Sequence, residues 1–328
     1  VSRIGWHRFA IDGGYRPLAA ESNKLTVVRS RATFARMLRP NACIAVIAPA
    51  GVPEPADLET GMQLLRDWGF DLIEGPHTRA RHRYQAGTVA ERAADLAWGL
   101  TAPGIDAVWL ARGGYGCVQC LPSLPAELPR ERVVIGCSDA TALLAALASR
   151  GHTRLVHGPM VEGLVARADE PTRVWIHDLL TGCTLPSLTV QLLRGPTEPV
   201  TGPLVGGNLT VLASLAGTPY ALHSADAIVV LEDVGEALYR LDRCVMQLRL
   251  SGALRHAKAI LLGQFIRCHA PREASYTVTE ALLDLFEPLG IPLFATAQIG
   301  HGERNLAWHY GGAATLRDRA LKFSIPRP

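Results

Sequence analysis

From residue 43 onward, short runs of small and β-branched apolar residues alternate with longer stretches whose apolar positions recur every three or four residues. The first run, residues 43–48, stops at Pro49 and predicts a buried strand. After a loop with Pro53 and Pro55, Leu58, Met62 and Leu65 share one face of a predicted helix that ends at Gly69. Residues 70–73 predict a second strand. Thr88 and Glu91 then stand three apart, a capping box in front of an Ala-rich helix reaching about Leu100. Residues 106–111 and 133–135 predict two further strands. Strands alternating with helices in this way predict an α/β fold, a parallel sheet with helices on both faces. In such sheets function collects at the carboxyl ends of the strands.

The alternation weakens after Met160, and residues 180–207 are rich in Pro, Thr and Gly, as expected of a connection into a second domain. Residues 209–215 then predict a helix, 227–231 a strand, 238–250 an amphipathic helix and 259–265 a strand. The expected division is an extension over residues 1–40, an N-terminal α/β domain over 41–165, a connecting segment over 166–205 and a C-terminal domain over 206–328. The length of 328 residues fits about two domains at roughly 100–200 residues each.

With 48% hydrophobic and 19% charged residues, disorder and fibrous architectures are excluded as the main character. The 33 basic and 30 acidic side chains give a net charge of +3, so charge points to no nucleic-acid or membrane partner. No stretch reaches the roughly 18 apolar residues of a membrane span, and the first forty residues lack the apolar core of a secretory signal. The seven cysteines are an odd number in a chain too long to need disulfide staples. Cys117 and Cys120 have no second pair at zinc spacing and read as two thiols, with no metal site. The expected setting is the cytoplasm.

Four stretches could carry chemistry. Gly136-Cys137-Ser138-Asp139-Ala140-Thr141 joins a predicted strand to a predicted helix, which puts Ser138 at the tip of a sharp turn. The alternative is a Ser-Asp N-cap, and Cys137 is a rival nucleophile or a small buried hydrophobe. Arg112-Gly113-Gly114-Tyr115-Gly116 follows a strand and could aim N–H groups at an oxyanion, or be a plain Gly-rich turn. Glu232 and Asp233 close an apolar strand, where a carboxylate could orient a histidine or simply be solvated. His301 stands between Gly300 and Gly302, with His157 in His157-Gly158-Pro159-Met160 as its rival. Spacing alone suggests a serine hydrolase without choosing its triad.

Together these stretches resemble the LD-carboxypeptidase family of serine peptidases, which includes murein tetrapeptide carboxypeptidases and microcin C self-immunity proteins. The resemblance runs from about Asn41 to Leu316 and rests on many short motifs in one order. They are Ile47-Ala48-Pro49-Ala50, Ala86-Gly87-Thr88, the Arg112 to Gly116 block, Gly136-x-Ser138-Asp139-x-Thr141 and His157-Gly158-Pro159-Met160. Further on come Gly206-Gly207-Asn208-Leu209-Thr210, Gly217-Thr218, Leu231-Glu232-Asp233, Tyr239-Arg240, Asp242-Arg243 and Gly300-His301.

The resemblance implies Ser138 as nucleophile, His301 as general base and acid, and Glu232 as the carboxylate that holds the histidine. It also implies the backbone N–H groups of Gly114 and Asp139 as oxyanion hole. Arg112 is a candidate by position for the free carboxylate that a carboxypeptidase must recognise. The implied fold is a flavodoxin-like or class I amidotransferase-like parallel sheet followed by a smaller C-terminal α/β domain, usually as a homodimer. The implied reaction is hydrolysis of the amide before a C-terminal D-amino acid, such as D-Ala of a murein tetrapeptide, through an acyl-enzyme and with no cofactor. Two other readings stand beside it, a self-immunity amidase acting on peptidyl-nucleotides and a non-catalytic peptide-binding module. An aromatic content of 6% does not advertise a nucleobase-stacking surface. The chain departs from the family pattern in its first forty residues, and in lacking the expected proline after His301.

Overall fold

The computed structural model describes residues 36–317 and 319–324. Most of the expected extension, residues 1–35, lies outside them. Residues 36–40 run along the body of the protein: the N–H groups of Met37 and Leu38 both donate to the carbonyl of Leu180, and Leu38 is buried.

Five parallel strands build the first sheet: β1 (Cys43–Ile47), β2 (Asp71–Glu74), β3 (Ala107–Leu110), β4 (Val133–Gly136) and β5 (Leu155–His157), in the order β5-β4-β3-β1-β2. Every residue of β3, β4 and β5 is buried, the pattern of strands covered on both faces. The helices between them form where the periodicity places them. Pro55–Asp67 buries Leu58, Met62 and Leu65. Val89–Thr101 starts at the Thr88–Glu91 capping box, in which the Thr88 hydroxyl accepts from the Glu91 N–H and the Glu91 carboxylate accepts from the Thr88 N–H.

The second sheet holds β6 (Leu188–Thr189), β7 (Gln191–Arg194), β8 (Val200–Asn208), β9 (Ile228–Val234), β10 (Ala259–Ile266) and β11 (Leu293–Ala295). The chain then returns as β12 (Trp308–Tyr310), which adds antiparallel to β5 at the edge of the first sheet. It finishes as β13 (Ala313–Arg317) and β14 (Ala320–Phe323), so the second sheet runs β6-β14-β13-β8-β9-β10-β11-β7. The Pro-rich stretch before Gly207 is therefore ordered into strands, with the helix Glu170–Thr181 ahead of it. Pro203 is tolerated because residues 200–203 pair only with β13, and β8 turns to β9 from Leu204 onward.

Two sheets that met only at loops could not hold a site to sub-ångström tolerance. The helix Ala140–Ser149 supplies the coupling: it packs on β4 and β5 of the first sheet and on β8 of the second, and its first eight residues are all buried. At its start the Thr141 hydroxyl accepts from the Asn208 N–H at 3.1 Å, which fastens the first turn of the helix to the end of β8. Among the described residues, no helix is long and apolar enough to cross a membrane.

Candidate active site

Ser138 sits between β4 and the helix that starts at Ala140, with a backbone φ of +56°. A non-glycine residue in this region carries strain of about 1–3 kcal/mol, which persists where the surroundings over-determine it. Here they do, because Ala140 N–H bonds the Cys137 carbonyl and Thr141 N–H bonds the Ser138 carbonyl. The N-cap alternative does not describe this turn, since Asp139 makes no side-chain cap bond to its own helix. Its carboxylate reaches across and accepts the Cys117 N–H at 2.7 Å, tying the serine turn to the glycine-rich loop.

That loop lies directly against the serine. A Cβ at Gly113 would come within 3.2 Å of the Ser138 Oγ, so any side chain there would crowd the hydroxyl. Gly116, at φ +155°, packs so tightly that a Cβ would fall 2.4 Å from the Arg92 guanidinium. Arg92 is fully buried and donates to the carbonyls of Pro49 and Gly116 and to the side chain of Gln119. A buried cation bonded to these carbonyls and to Gln119 fixes the loop's path. The N–H groups of Gly114 and Asp139 have no acceptor among the described residues.

The second sheet brings the acid and the histidine. β9 runs three residues further than its apolar run predicts, so Glu232 and Asp233 lie inside the strand and are buried. Burial is possible because both carboxylates have partners. Asp233 accepts from the Asn208 amide, the Thr210 N–H and hydroxyl and the Val234 N–H. Glu232 meets Nδ1 of His301 at 2.5 Å. Burial is the largest influence on the imidazole and pushes its pKa down, but Glu232, helped by Asp233, outweighs it and the net shift from 6.5 is upward. Nε2 of His301 is buried and has no partner among the described residues.

Two further side chains hold the histidine loop. Gln264 accepts the Gly302 N–H and donates to the carbonyls of Ala297 and Arg304. Asn305 accepts the Gly300 N–H at 3.3 Å and reaches the Cys137 sulfur at 3.7 Å. It therefore links the neighbour of His301 to the neighbour of Ser138, across the two sheets. Glu232 belongs to the same junction, because Asn208, bonded to Thr141, is its register partner in β8.

Comparison with known proteins gives the family. Residues 44–158 match the LD-carboxypeptidase N-terminal domain, and residues 201–316 match the LD-carboxypeptidase C-terminal domain. The chain belongs to the LD-carboxypeptidase family. A murein tetrapeptide carboxypeptidase of Pseudomonas aeruginosa is 40% identical over 294 residues, covering 85% of this chain and 94% of the relative. The solved muramoyltetrapeptide carboxypeptidase of Oxalobacter formigenes is 28% identical with a TM-score of 0.75, covering 86% of this chain and 99% of that one. The microcin self immunity protein MccF shares the fold at 19% identity and a TM-score of 0.75, covering 89% of this chain and 98% of its own.

Within this LD-carboxypeptidase chain the rival residues are less suited to the chemistry. Burial pushes the Cys137 thiol up to about 12, leaving almost no thiolate at neutral pH. His157 is fully buried, stacks on Trp308 at 4.9 Å, and neither ring nitrogen has a partner among the described residues. Burial, with the nearby His301, lowers its pKa to about 3. Arg112 is committed in part: it donates to the Val52 carbonyl and lies 3.6 Å from the buried Glu162 carboxylate. Of six buried side-chain polar atoms without partners among the described residues, five belong to His157, Glu232, His301 and Trp308. Such atoms gather where a protein gives up local satisfaction for function.

The state of His157 has a measurable consequence. A group with pKa about 3 folded and about 6.5 unfolded binds its proton only in the unfolded chain between those values. Stability should fall as pH drops below about 6.5, by up to ~1.4 kcal/mol per unit from this one group. His152 and His309 are shifted in the same direction, so a variant must isolate the effect. A His157→Phe protein, melted at pH 7 and pH 5 beside the parent, should lose less stability between the two. Equal losses would mean that His157 does not titrate as a buried neutral ring.

Proposed function

We propose that the protein is a serine-type L,D-carboxypeptidase that hydrolyses the amide before a C-terminal D-amino acid, such as D-Ala of a murein tetrapeptide. The observation that carries this reading is the Glu232–His301 pair at 2.5 Å, joined through Asn305 to the strained Ser138 turn. The relative from Pseudomonas aeruginosa, named a murein tetrapeptide carboxypeptidase, supports the substrate class. The same reading places the enzyme in the cytoplasm as a homodimer.

In this proposal Nε2 of His301 takes the proton of the Ser138 hydroxyl, because a neutral hydroxyl is a weak nucleophile at neutral pH. The Ser138 Oγ forms a bond to the carbonyl carbon of the L-centred residue, and the carbonyl π pair moves onto oxygen. The N–H groups of Gly114 and Asp139 are the donors for that oxyanion, a contribution of about 3–4 kcal/mol per donor in comparable sites. Collapse breaks the C–N bond, and the imidazolium gives its proton to the departing amine of the D-residue. Water then attacks the ester with His301 again as base, which releases the shortened peptide and regenerates Ser138.

The test is release of free D-Ala from a tetrapeptide with diaminopimelate or L-Lys at the third position, measured beside the same peptide ending in L-Ala. Release from the D-terminated peptide alone is expected. Cleavage of a peptidyl-nucleotide with neither tetrapeptide touched would replace this reading with the detoxifying amidase. Binding of the tetrapeptide with no turnover would replace it with the binding module.

A further inference from the structure

At the start of the glycine-rich loop, a buried acid is shared by two arginines. Glu162 follows β5 by five residues, and its side chain is only 4% exposed. One carboxylate oxygen accepts the Glu54 N–H at 3.1 Å, and the other faces Arg167 at 2.9 Å and Arg112 at 3.6 Å. One negative charge therefore holds two guanidinium groups and leaves one positive charge uncompensated. The side chains of Arg112 and Arg167 are 41% and 60% exposed, so both reach solvent. Arg112 Nη2 and the Nε and Nη1 of Arg167 have no partner among the described residues.

The pair also stands where the reaction takes place. Arg112 immediately precedes Gly113, at which an added Cβ would lie 3.2 Å from the Ser138 hydroxyl. Arg167 is close enough for its charge to depress proton affinity at both His301 and Cys137. We propose that Arg112 and Arg167, oriented by Glu162, form the subsite for the free carboxylate of the substrate's C-terminal residue. The inference rests on the carboxypeptidase reading and adds to it the group that makes the enzyme cut only at a chain end. In a peptide the terminal carboxylate carbon lies about one residue length, ~3.8 Å, beyond the scissile carbonyl. A receptor beside Ser138 is therefore required, and planar guanidinium groups match a carboxylate in charge and geometry. Glu162 holds Arg167 by a hydrogen bond and draws Arg112, itself bonded to the Val52 carbonyl, toward the same point, which lowers the side-chain entropy lost on binding.

The decisive experiment compares kcat/KM for a tetrapeptide acid and for the same peptide with a C-terminal carboxamide, in the parent enzyme, Arg112→Met and Arg167→Met. The parent should prefer the acid, and each variant should lose about 10- to 100-fold on the acid while changing less than about threefold on the amide. The acid-to-amide preference then collapses in both variants. Equal losses on acid and amide would show that the arginines only support the fold of the site, and no loss in Arg167→Met would remove it from the subsite; either result overturns the pair. A parent enzyme that releases no D-residue from either peptide would instead overturn the carboxypeptidase reading, and the subsite with it.

Discussion

Ser138→Ala should lower kcat on a D-Ala-terminated tetrapeptide by about 10⁴- to 10⁶-fold and leave peptide binding within a few-fold of the parent. The size follows from what is removed. In the proposed mechanism there is no acyl-enzyme without Oγ, and only binding and the two backbone donors remain to help water attack. The fold should survive, because alanine meets the same strain at φ +56° that serine does and the hydroxyl makes no hydrogen bond among the described residues. A melting temperature within a few degrees of the parent and calorimetric binding of the intact tetrapeptide would separate loss of chemistry from loss of structure. Retention of more than about a tenth of the parent rate would dismiss Ser138. Cys137 would then be the group to examine, although burial holds its thiol at about 12.

Much of the path to this site is written in local pattern. Buried strands such as β3 and β4 announce themselves as continuous apolar runs, and the capping box at Thr88 and Glu91 marks its helix to the residue. Ser138 is visible because a strand and a helix only three residues apart, with Ser138 in the middle, put it at the turn. Two things resist a reading of this kind. Charged residues at a strand end look like loop, yet Glu232 and Asp233 continue β9, because partners distant in the chain satisfy them. The residues that align the groups, Arg92, Gln264 and Asn305, each act through at least one contact 24 or more positions away, up to the 168 between Asn305 and Cys137, and no spacing rule reaches that far. Gln264 did leave a trace, as a polar residue within the otherwise apolar β10. Proline content hides a strand, since β8 accommodates Pro203 by pairing that half of the strand with β13 alone.

Glu232→Gln should reduce kcat/KM by about 10⁴-fold, and it should also move the pH profile. In the proposed mechanism the base must be neutral before it can accept the Ser138 proton, so the parent's activity should rise with pH through the pKa of His301. That pKa lies above 6.5, because the Glu232 carboxylate at 2.5 Å, together with Asp233, overcomes the downward pull of burial. Glutamine keeps the volume and removes the charge, which leaves burial dominant, and the rising limb of kcat/KM should shift below pH 6.5. The variant therefore has more neutral histidine at pH 6 than the parent and still turns over far more slowly. Two losses explain this: no carboxylate stabilises the imidazolium, and a glutamine amide donating to Nδ1 puts the ring proton on Nε2, where it blocks transfer from serine. Profiles of kcat/KM between pH 5 and 9 for the two proteins make the comparison. A rising limb that stays in place in Glu232→Gln would show that the carboxylate does not set the charge of His301, and the Ser138, His301 and Glu232 assignment would have to be abandoned.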